Sequence, residues 1–179
     1  MTKIEYTNLQ DLDRGELLSI LNRDKIREHL VTHDQFNDQS LAEWISSKVS
    51  VDSTDGCKVR GVRVNGAVAG WCGIQFENES YELAIVLNEA YWGVGVAVFK
   101  DMMVWASGLG HSHVVLHLFN TRPEYKFLKK MASRVFESTM FGQKYTSYEL
   151  KVPSAQIGAV CLTIASTRTQ KAWLASLRS

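Results

Sequence analysis

The hydrophobic positions of the chain follow a strand-like pattern in its middle third. Short apolar runs separated by polar turns predict strands over Lys58–Val64, Ala67–Phe76 and Tyr81–Leu87. The first two runs are joined by Asn65-Gly66, the dipeptide that most strongly indicates a two-residue hairpin. These three segments therefore predict an antiparallel meander.

Helical spacing governs the segments on either side of this meander. Apolar residues recur at helical intervals over Glu16–His29, after an N-cap near Asp38 or Ser40, and over Val94–Ser107. Pro123 is placed to open a further helix, at a position that tolerates a missing N–H. The sequence therefore predicts helices both before and after the strands.

One more strand follows the helix Val94–Ser107. His113–Phe119 is almost continuously apolar, with His117 as its polar exception, as expected for a central strand that is buried on both faces. A strand, a helix and a second strand in succession connect by a crossover, so this strand runs parallel to Tyr81–Leu87. The predicted fold class is α/β, with a mixed, mostly antiparallel central sheet flanked by helices.

The turn that leads into the helix Val94–Ser107 is rich in glycine, because Tyr91–Ala97 reads Tyr-Trp-Gly-Val-Gly-Val-Ala. The first N–H groups of a helix have no intrahelical partner and carry the positive end of its dipole, so they bind phosphate. Gly93 and Gly95 let a pyrophosphate approach this backbone closely. A P-loop would need Gly-Lys-Ser/Thr, and a dinucleotide fingerprint would need glycine in place of Val98; the sequence has neither.

The same loop resembles the acyl-CoA loop of the Gcn5-related N-acetyltransferase (GNAT) superfamily, which is written Arg/Gln-x-x-Gly-x-Gly/Ala. It falls on Trp92-Gly93-Val94-Gly95-Val96-Ala97, with Trp92 at the position of the Arg or Gln. The Tyr-Trp-Gly-x-Gly version is similar to that of the ribosomal-protein N-terminal acetyltransferase-like branch. Downstream, the resemblance continues through His113–Phe119, then Asn120, then a helix that carries Phe127.

The resemblance implies an acyl-CoA N-acyltransferase fold, in which a splayed pair of parallel strands forms the cofactor site, with acetyl-CoA as the donor. The loop from Trp92 to Ala97 would hold the pyrophosphate, and the pantetheine arm would lie beside the strand residues Ile85, Val86 and Leu87 and beside Asn120 and Phe127. Lys126 would lie with Arg122, Lys129 and Lys130 on a basic helical side that meets the 3′-phosphate.

Acetyl transfer to an amine needs a base for the amine and an acid for the departing thiolate. The resemblance implies Glu82 as the general base, with Glu79 as the nearest substitute and His117 as a group that can relay protons. Because Phe127 has no hydroxyl where relatives often carry tyrosine, the general acid would be Tyr125 or water. The predicted function is direct acetyl transfer from acetyl-CoA to a primary amine of a small molecule or protein.

Two other functions fit parts of this pattern. Trp92, Phe127 and the missing Gly-Phe dipeptide that commonly follows are compatible with a catalytically silent acyl-CoA-binding or interaction module. An acetyltransferase acting on aminoacyl-tRNA ranks lower, because such proteins are usually more basic than the net charge of +1 found here. The acceptor amine itself stays open.

Charge and cysteine content restrict the partners and the location. A net charge of +1 provides no long-range field, so no extended nucleic-acid or membrane surface is expected as a partner. Cys57, Cys72 and Cys161 show no Cys-x-x-Cys pair and no histidine at metal-binding spacing, which predicts reduced thiols, a cytoplasmic location and no metal site. The N-terminus lacks an apolar signal core.

The resemblance ends near Lys151, which predicts an acetyltransferase domain over residues 1–152 and a C-terminal helical extension over residues 153–179. The extension has apolar residues at roughly helical spacing, among them Ile157, Val160, Ile164 and Trp173. An apolar stripe of this kind has to be covered, and a homodimer to which the extension contributes is the expected solution.

Overall fold

The computed structural model describes residues 2–28, 34–120, 122, 124–140 and 142–154. Within this part of the chain one sheet contains seven strands, β1 (Ile4–Thr7), β2 (Lys58–Val64), β3 (Ala67–Glu77), β4 (Ser80–Leu87), β5 (His113–Phe119), β6 (Ala132–Met140) and β7 (Gln143–Lys151). Their order across the sheet is β1-β2-β3-β4-β5-β7-β6. Every neighbouring pair is antiparallel except β4 and β5, so the predicted mixed, mostly antiparallel α/β sheet is confirmed.

Two tight turns build the meander from β2 to β4. Asn65 and Gly66 join β2 to β3 with φ angles of 52° and 86°, the two positive values that a type I′ turn requires. Asn78 and Glu79 join β3 to β4 in the same way, with φ angles of 48° and 63°. The predicted hairpin is therefore confirmed, and β3 runs one residue further than expected, to Glu77.

The parallel strands β4 and β5 pair at one register position only, where Glu82 lies opposite Val115. Toward their C-terminal ends, Leu87 and Phe119, the two strands no longer pair with each other. Each keeps its outer neighbour, since β4 stays paired with β3 as far as Leu87 opposite Gly70, and β5 stays paired with β7 along its length. The sheet is thus open between two adjacent strands, which is the splayed parallel pair expected of the fold.

Five helices pack on the sheet: α1 (Arg14–Leu21), α2 (Asp24–Arg27), α3 (Asp38–Asp52), α4 (Gly95–Gly108) and α5 (Lys126–Met131). α1 to α3 cover one face, where the buried core includes Leu17, Ile26, Leu41, Ile45, Trp71 and Val86. α4 and α5 cover the other face, where it includes Ile74, Leu83, Met102, Leu116, Leu128 and Tyr148. Among the described residues, each helix is too short or too polar to span a lipid bilayer.

The first predicted helix, Glu16–His29, is wrong in its extent. α1 ends before Asn22, and α2 begins at Asp24. The Asn22 side chain donates to the Phe36 carbonyl at 2.8 Å and accepts from the Phe36 N–H at 2.8 Å. Asn22 therefore fixes the chain ahead of α3 instead of continuing the helix, and His29 lies outside the described residues.

α3 begins one residue before the expected position, because Asn37 is its N-cap. Asn37 Oδ1 accepts from the Ser40 N–H at 2.9 Å, and Ser40 Oγ accepts from the Asn37 N–H at 2.9 Å, so the two residues form a capping box. The N-cap therefore lies in the predicted polar segment, at Asn37 instead of Asp38 or Ser40.

α4 and α5 differ from prediction at their N-termini. A 3₁₀ turn over Glu89–Val94 precedes α4, which begins at Gly95. α5 begins at Lys126, and the backbone of Tyr125 before it is extended. The predicted opening residue, Pro123, lies outside the described residues, so the helix that follows it starts later than expected.

The C-terminal end of the described chain is held against the end of α4. Val152 is buried and its N–H donates to the Ser112 carbonyl at 2.9 Å, while Ser107 Oγ donates to the Pro153 carbonyl at 2.7 Å. The predicted extension beyond Ser154, with its Cys161, lies outside the described residues.

Candidate active site

The opening between β4 and β5 provides an unpaired strand edge. From Leu83 to Leu87 the edge of β4 that faces β5 has no strand partner among the described residues, because the pairing ends at Glu82. Val86 and Leu87 are buried on opposite faces of the sheet, and Ile85 is half-buried. An extended ligand can therefore pair with this edge as an additional strand would.

The glycine loop stands at the open end of this gap. α4 has no side-chain N-cap, and the Gly95 N–H at its start donates to the Trp92 carbonyl of the preceding 3₁₀ turn. Its first turn contains no acidic residue, so no negative side chain there opposes an anion at the positive end of the helix dipole. A Cβ placed on Gly93 would meet no atom within 4 Å, and one on Gly95 would meet only Leu87 Cδ1 at 3.9 Å. The space over the helix N-terminus is therefore open, and a side chain there would fill it. The residues present fit an anionic group such as pyrophosphate.

The remaining loop positions surround this space. Trp92 donates its indole N–H to the Leu87 carbonyl at 2.9 Å, so its ring folds back on the end of β4 and remains half-exposed. Val96 and Ala97 are exposed on the first turn of α4, and Val94 is half-buried beneath it. Trp92 thus closes the loop onto the strand by a hydrogen bond, in place of the charge that the superfamily pattern carries there.

Glu82 and His117 meet at the closed end of the gap. Both side chains are 14% exposed, and His117 Nε2 lies 3.4 Å from Glu82 Oε1. Asn78 Nδ2 donates to the same carboxylate oxygen at 3.1 Å, while no described residue hydrogen-bonds to Glu82 Oε2. The sequence predicted both residues as candidates, and the structure brings them together.

His117 continues into a chain of hydroxyl groups that crosses the sheet. Its Nδ1 lies 2.7 Å from Oγ of the fully buried Ser147 on β7, and Ser147 Oγ lies 2.6 Å from Ser138 Oγ on β6. With the proton on Nε2, His117 faces Glu82 Oε1 with its N–H and accepts from Ser147 at Nδ1, and Glu82 Oε2 has no hydrogen-bond partner among the described residues. Sequence reasoning missed both serines because neither strand was predicted.

The opposite face of the gap is aromatic. Phe127 packs edge-to-face against Phe99 of α4 with ring centroids 5.8 Å apart, and against Tyr125 at 6.1 Å. Tyr125 belongs to the core beneath α4 and α5, whereas the alternation of side chains along β4 places Glu82 with α1 to α3. The two predicted catalytic groups therefore flank the sheet opening from opposite sides.

Asn120 stands at the end of β5, beside a cavity of about 190 Å³. The cavity is lined by Leu118, Phe119, Asn120, Arg122, Glu124, Thr146 and Tyr148. The Asn120 N–H donates to the Lys144 carbonyl at 3.2 Å, and its side-chain amide has no hydrogen-bond partner among the described residues. That exposed amide is available to a ligand at this end of β5.

The predicted basic side of α5 is only partly available. Lys126 is exposed, whereas Lys129 Nζ forms an ion pair with Glu124 Oε1 at 2.9 Å. Arg122 lies apart from the helix, half-buried at the cavity beside Asn120. The four basic residues thus do not form one face, because the helix begins after Arg122.

No protein-family model and no curated protein match the chain in sequence. Solved structures share its fold. A candidate acetyltransferase from Acinetobacter baylyi ADP1 superposes with a TM-score of 0.63 at 16% identity, over 89% of this chain and 98% of that one. A GNAT-family acetyltransferase from Streptococcus pneumoniae gives a TM-score of 0.61 at 16% identity, over 86% of this chain and all of the other, 100%.

A third similar structure contains the acetyl donor. The Campylobacter jejuni N-acetyltransferase PseH, in complex with acetyl coenzyme A, gives a TM-score of 0.55 at 16% identity, over 83% of this chain and 99% of that one. At such identities the likeness concerns the fold, and the predicted acyl-CoA N-acyltransferase fold is confirmed. The resemblance to the ribosomal-protein branch stays a prediction.

Proposed function

We propose that the protein is an N-acetyltransferase that transfers the acetyl group of acetyl-CoA directly to a primary amine. The observation that carries the proposal is the opening between β4 and β5, which leads from the uncapped start of α4 to the Glu82–His117 pair. The six residues from Glu82 to Leu87 span about 16 Å of extended strand. That stretch accommodates an extended arm with a phosphate group at one end and a reacting group at the other.

Binding of the donor would use the start of α4, the free edge of β4 and the Asn120 amide. The pyrophosphate would bind at the positive end of the α4 dipole and accept from the N–H groups of the loop and first turn, and the free edge of β4 near Ile85 would hydrogen-bond the pantetheine arm. The Asn120 amide would bind the arm from the β5 side. The PseH structure, which has the same fold, is a complex with acetyl coenzyme A and supports this donor.

Acetyl-CoA supplies an activated thioester carbon for the amine to attack. Glu82 would remove the amine proton with its free Oε2, while His117 and Asn78 hold Oε1 and fix the carboxylate in place. Tyr125, on the other face of the opening, or water would return a proton to the thiolate. The base, Glu82, and the acid, Tyr125, would then act from opposite faces of the sheet. Glu82 would take the amine proton on one face, and Tyr125 would protonate the thiolate from the other.

A catalytically silent acyl-CoA-binding module is the second candidate. It is favoured by Phe127, whose ring is packed between Phe99 and Tyr125 and offers no hydroxyl to the gap. This candidate makes the same prediction for acetyl-CoA binding and the opposite prediction for turnover.

Calorimetric titration with acetyl-CoA tests the donor. Gly95→Glu should abolish binding, because its side chain and its negative charge both enter the space over the start of α4. Gly108→Glu is the matched control, since it adds the same group in open space at the far end of α4 and should bind like the wild type.

Thiol release with a panel of primary amines then separates the two candidates. Turnover supports the transferase, and binding without turnover across the panel supports the silent module. If the wild-type protein does not bind acetyl-CoA, or if folded Gly95→Glu binds it unchanged, the proposal is wrong.

A further inference from the structure

We propose that Lys48 forms the anion-recognition site for the acceptor, so that the amine acetylated by this protein also carries a carboxylate. The inference rests on the proposed function, because it assigns the acceptor side of the same opening. Three observations support it: the contacts that hold the Lys48 ammonium, the absence of a described carboxylate partner for it, and the position of Glu82 opposite Gln75.

Lys48 is a half-buried cation on the inner side of α3. Its Nζ donates to Oε1 of Gln75, a buried residue of β3, and lies 5.3 Å from the ring centroid of Trp71 and 6.0 Å from that of Trp44. The rings of Trp44 and Trp71 pack edge-to-face at 5.3 Å, and Phe36 packs on Trp44 at 5.8 Å. These aromatic contacts fix the lysine over the sheet and favour its charged form.

No described carboxylate forms an ion pair with Lys48 within 4.0 Å. Burial lowers its pKa from the usual value, and the more distant Glu77 only partly opposes this effect. A buried ammonium without a carboxylate is costly, because neutral oxygens and ring faces replace only part of its hydration. A ligand carboxylate would form charge-assisted hydrogen bonds there and relieve that cost.

The residue that binds the ammonium, Gln75, stands opposite the predicted base. Gln75 lies directly opposite Glu82 in the β3–β4 pairing, so the two side chains share one face of the sheet, about 5 Å apart at Cβ. Lys48 binds the first of these residues, and the acceptor amine would be deprotonated by the second. A positive and a negative group in adjacent positions complement a small molecule that carries both an amine and a carboxylate.

Small residues lie beside the two charges on this face of the sheet, although a Cβ on Gly73 would already meet Val59 Cγ2 and the Lys58 carbonyl at 3.1 Å. The next residues on the same face are Gly73 and Ala84, opposite each other, which together contribute only one methyl group. Trp71 and Val86 follow as the next pair and form an apolar wall. An amino acid can thus place its amine at Glu82, its carboxylate at Lys48 and its side chain toward the aromatic residues.

Matched acceptors test the assignment. The probes are L-amino acids and the corresponding amino-acid amides, with kcat/KM measured at saturating acetyl-CoA. The wild type should prefer the acids at least tenfold. Lys48→Met keeps the aliphatic stem but removes the charge, so it should lower kcat/KM for the acids at least tenfold, mainly through KM. Lys48→Arg should retain most of the preference.

Controls separate this inference from the proposed function. Lys3→Met removes an exposed ammonium just before β1, an edge strand distant from the opening, and should behave like the wild type. Acetyl-CoA affinity, measured by calorimetry, should be the same in all four proteins, and its absence in the wild type would overturn the proposed function instead.

If acetyl-CoA binds but the wild type treats acids and amides alike, or acetylates none of the acids, Lys48 does not select the acceptor. The same conclusion follows if folded Lys48→Met keeps the preference for acids.

Discussion

Glu82 is fixed at one carboxylate oxygen and free at the other, and this asymmetry gives a kinetic prediction. Glu82→Gln should lower the acyl-transfer rate by about 10²-fold, because the amide cannot accept the amine proton. Acetyl-CoA affinity should not change, since the residue lies away from the start of α4. Glu79→Gln is the comparison: Glu79 sits in the β3–β4 turn with φ of 63°, and a larger loss there would transfer the role of base to Glu79.

Some of these side chains could be found from the sequence and others could not. Glu82, the loop glycines and Asn120 could be identified because each lies in a short sequence motif, and the neighbouring residues alone indicate its position. His117 was visible as a polar residue in an apolar strand, but its partner Ser147 depends on the register between β5 and β7. Lys48 gave no local signal at all, because its environment is assembled by Gln75 and Trp71 of a distant strand.

At the level of the elements, the turn Asn65-Gly66 fixes the register of the meander that carries Glu82. Gly66 has φ of 86° with open space around its Cβ direction, so Gly66→Ala should cost about 1 kcal/mol through backbone strain alone. Gly108→Ala has the same open space at the end of α4 but no positive φ, and should be neutral or slightly stabilising. Urea unfolding measures both. Equal effects would mean that strain in the turn does not matter.

The same physical distinction explains which elements the sequence predicted. β2 and β3 were placed almost to the residue because a turn dipeptide separates two buried runs. β6 was missed because it is an edge strand, exposed or half-buried at every position, and so shows no hydrophobic alternation. The helix over Glu16–His29 was predicted too long because Asn22 fits a helical pattern, while its bonds to Phe36 come from outside that window.

Across the whole molecule, the sheet separates two cores and opens where they meet. The core beneath α4 and α5 carries Tyr125 and Phe127, and the core beneath α1 to α3 carries Trp71 and Val86 beside Lys48. The proposed donor site thus depends on one layer and the proposed acceptor site on the other. This division is compatible with a fold that keeps its donor site while acceptors change.

The predicted C-terminal extension bears on the oligomeric state. Its apolar residues, such as Ile157, Ile164 and Trp173, need a covering surface, and a second copy of the chain would provide one. We expect light scattering to give twice the monomer mass of 20.2 kDa for the full chain. Truncation after Ser154 retains the contacts of Val152 and Pro153 with the end of α4, so it should leave a folded domain that is monomeric or aggregates. Ile164→Asp in the full chain tests the same surface without removing residues. A monomeric full chain at micromolar concentration would show instead that the extension covers its own domain.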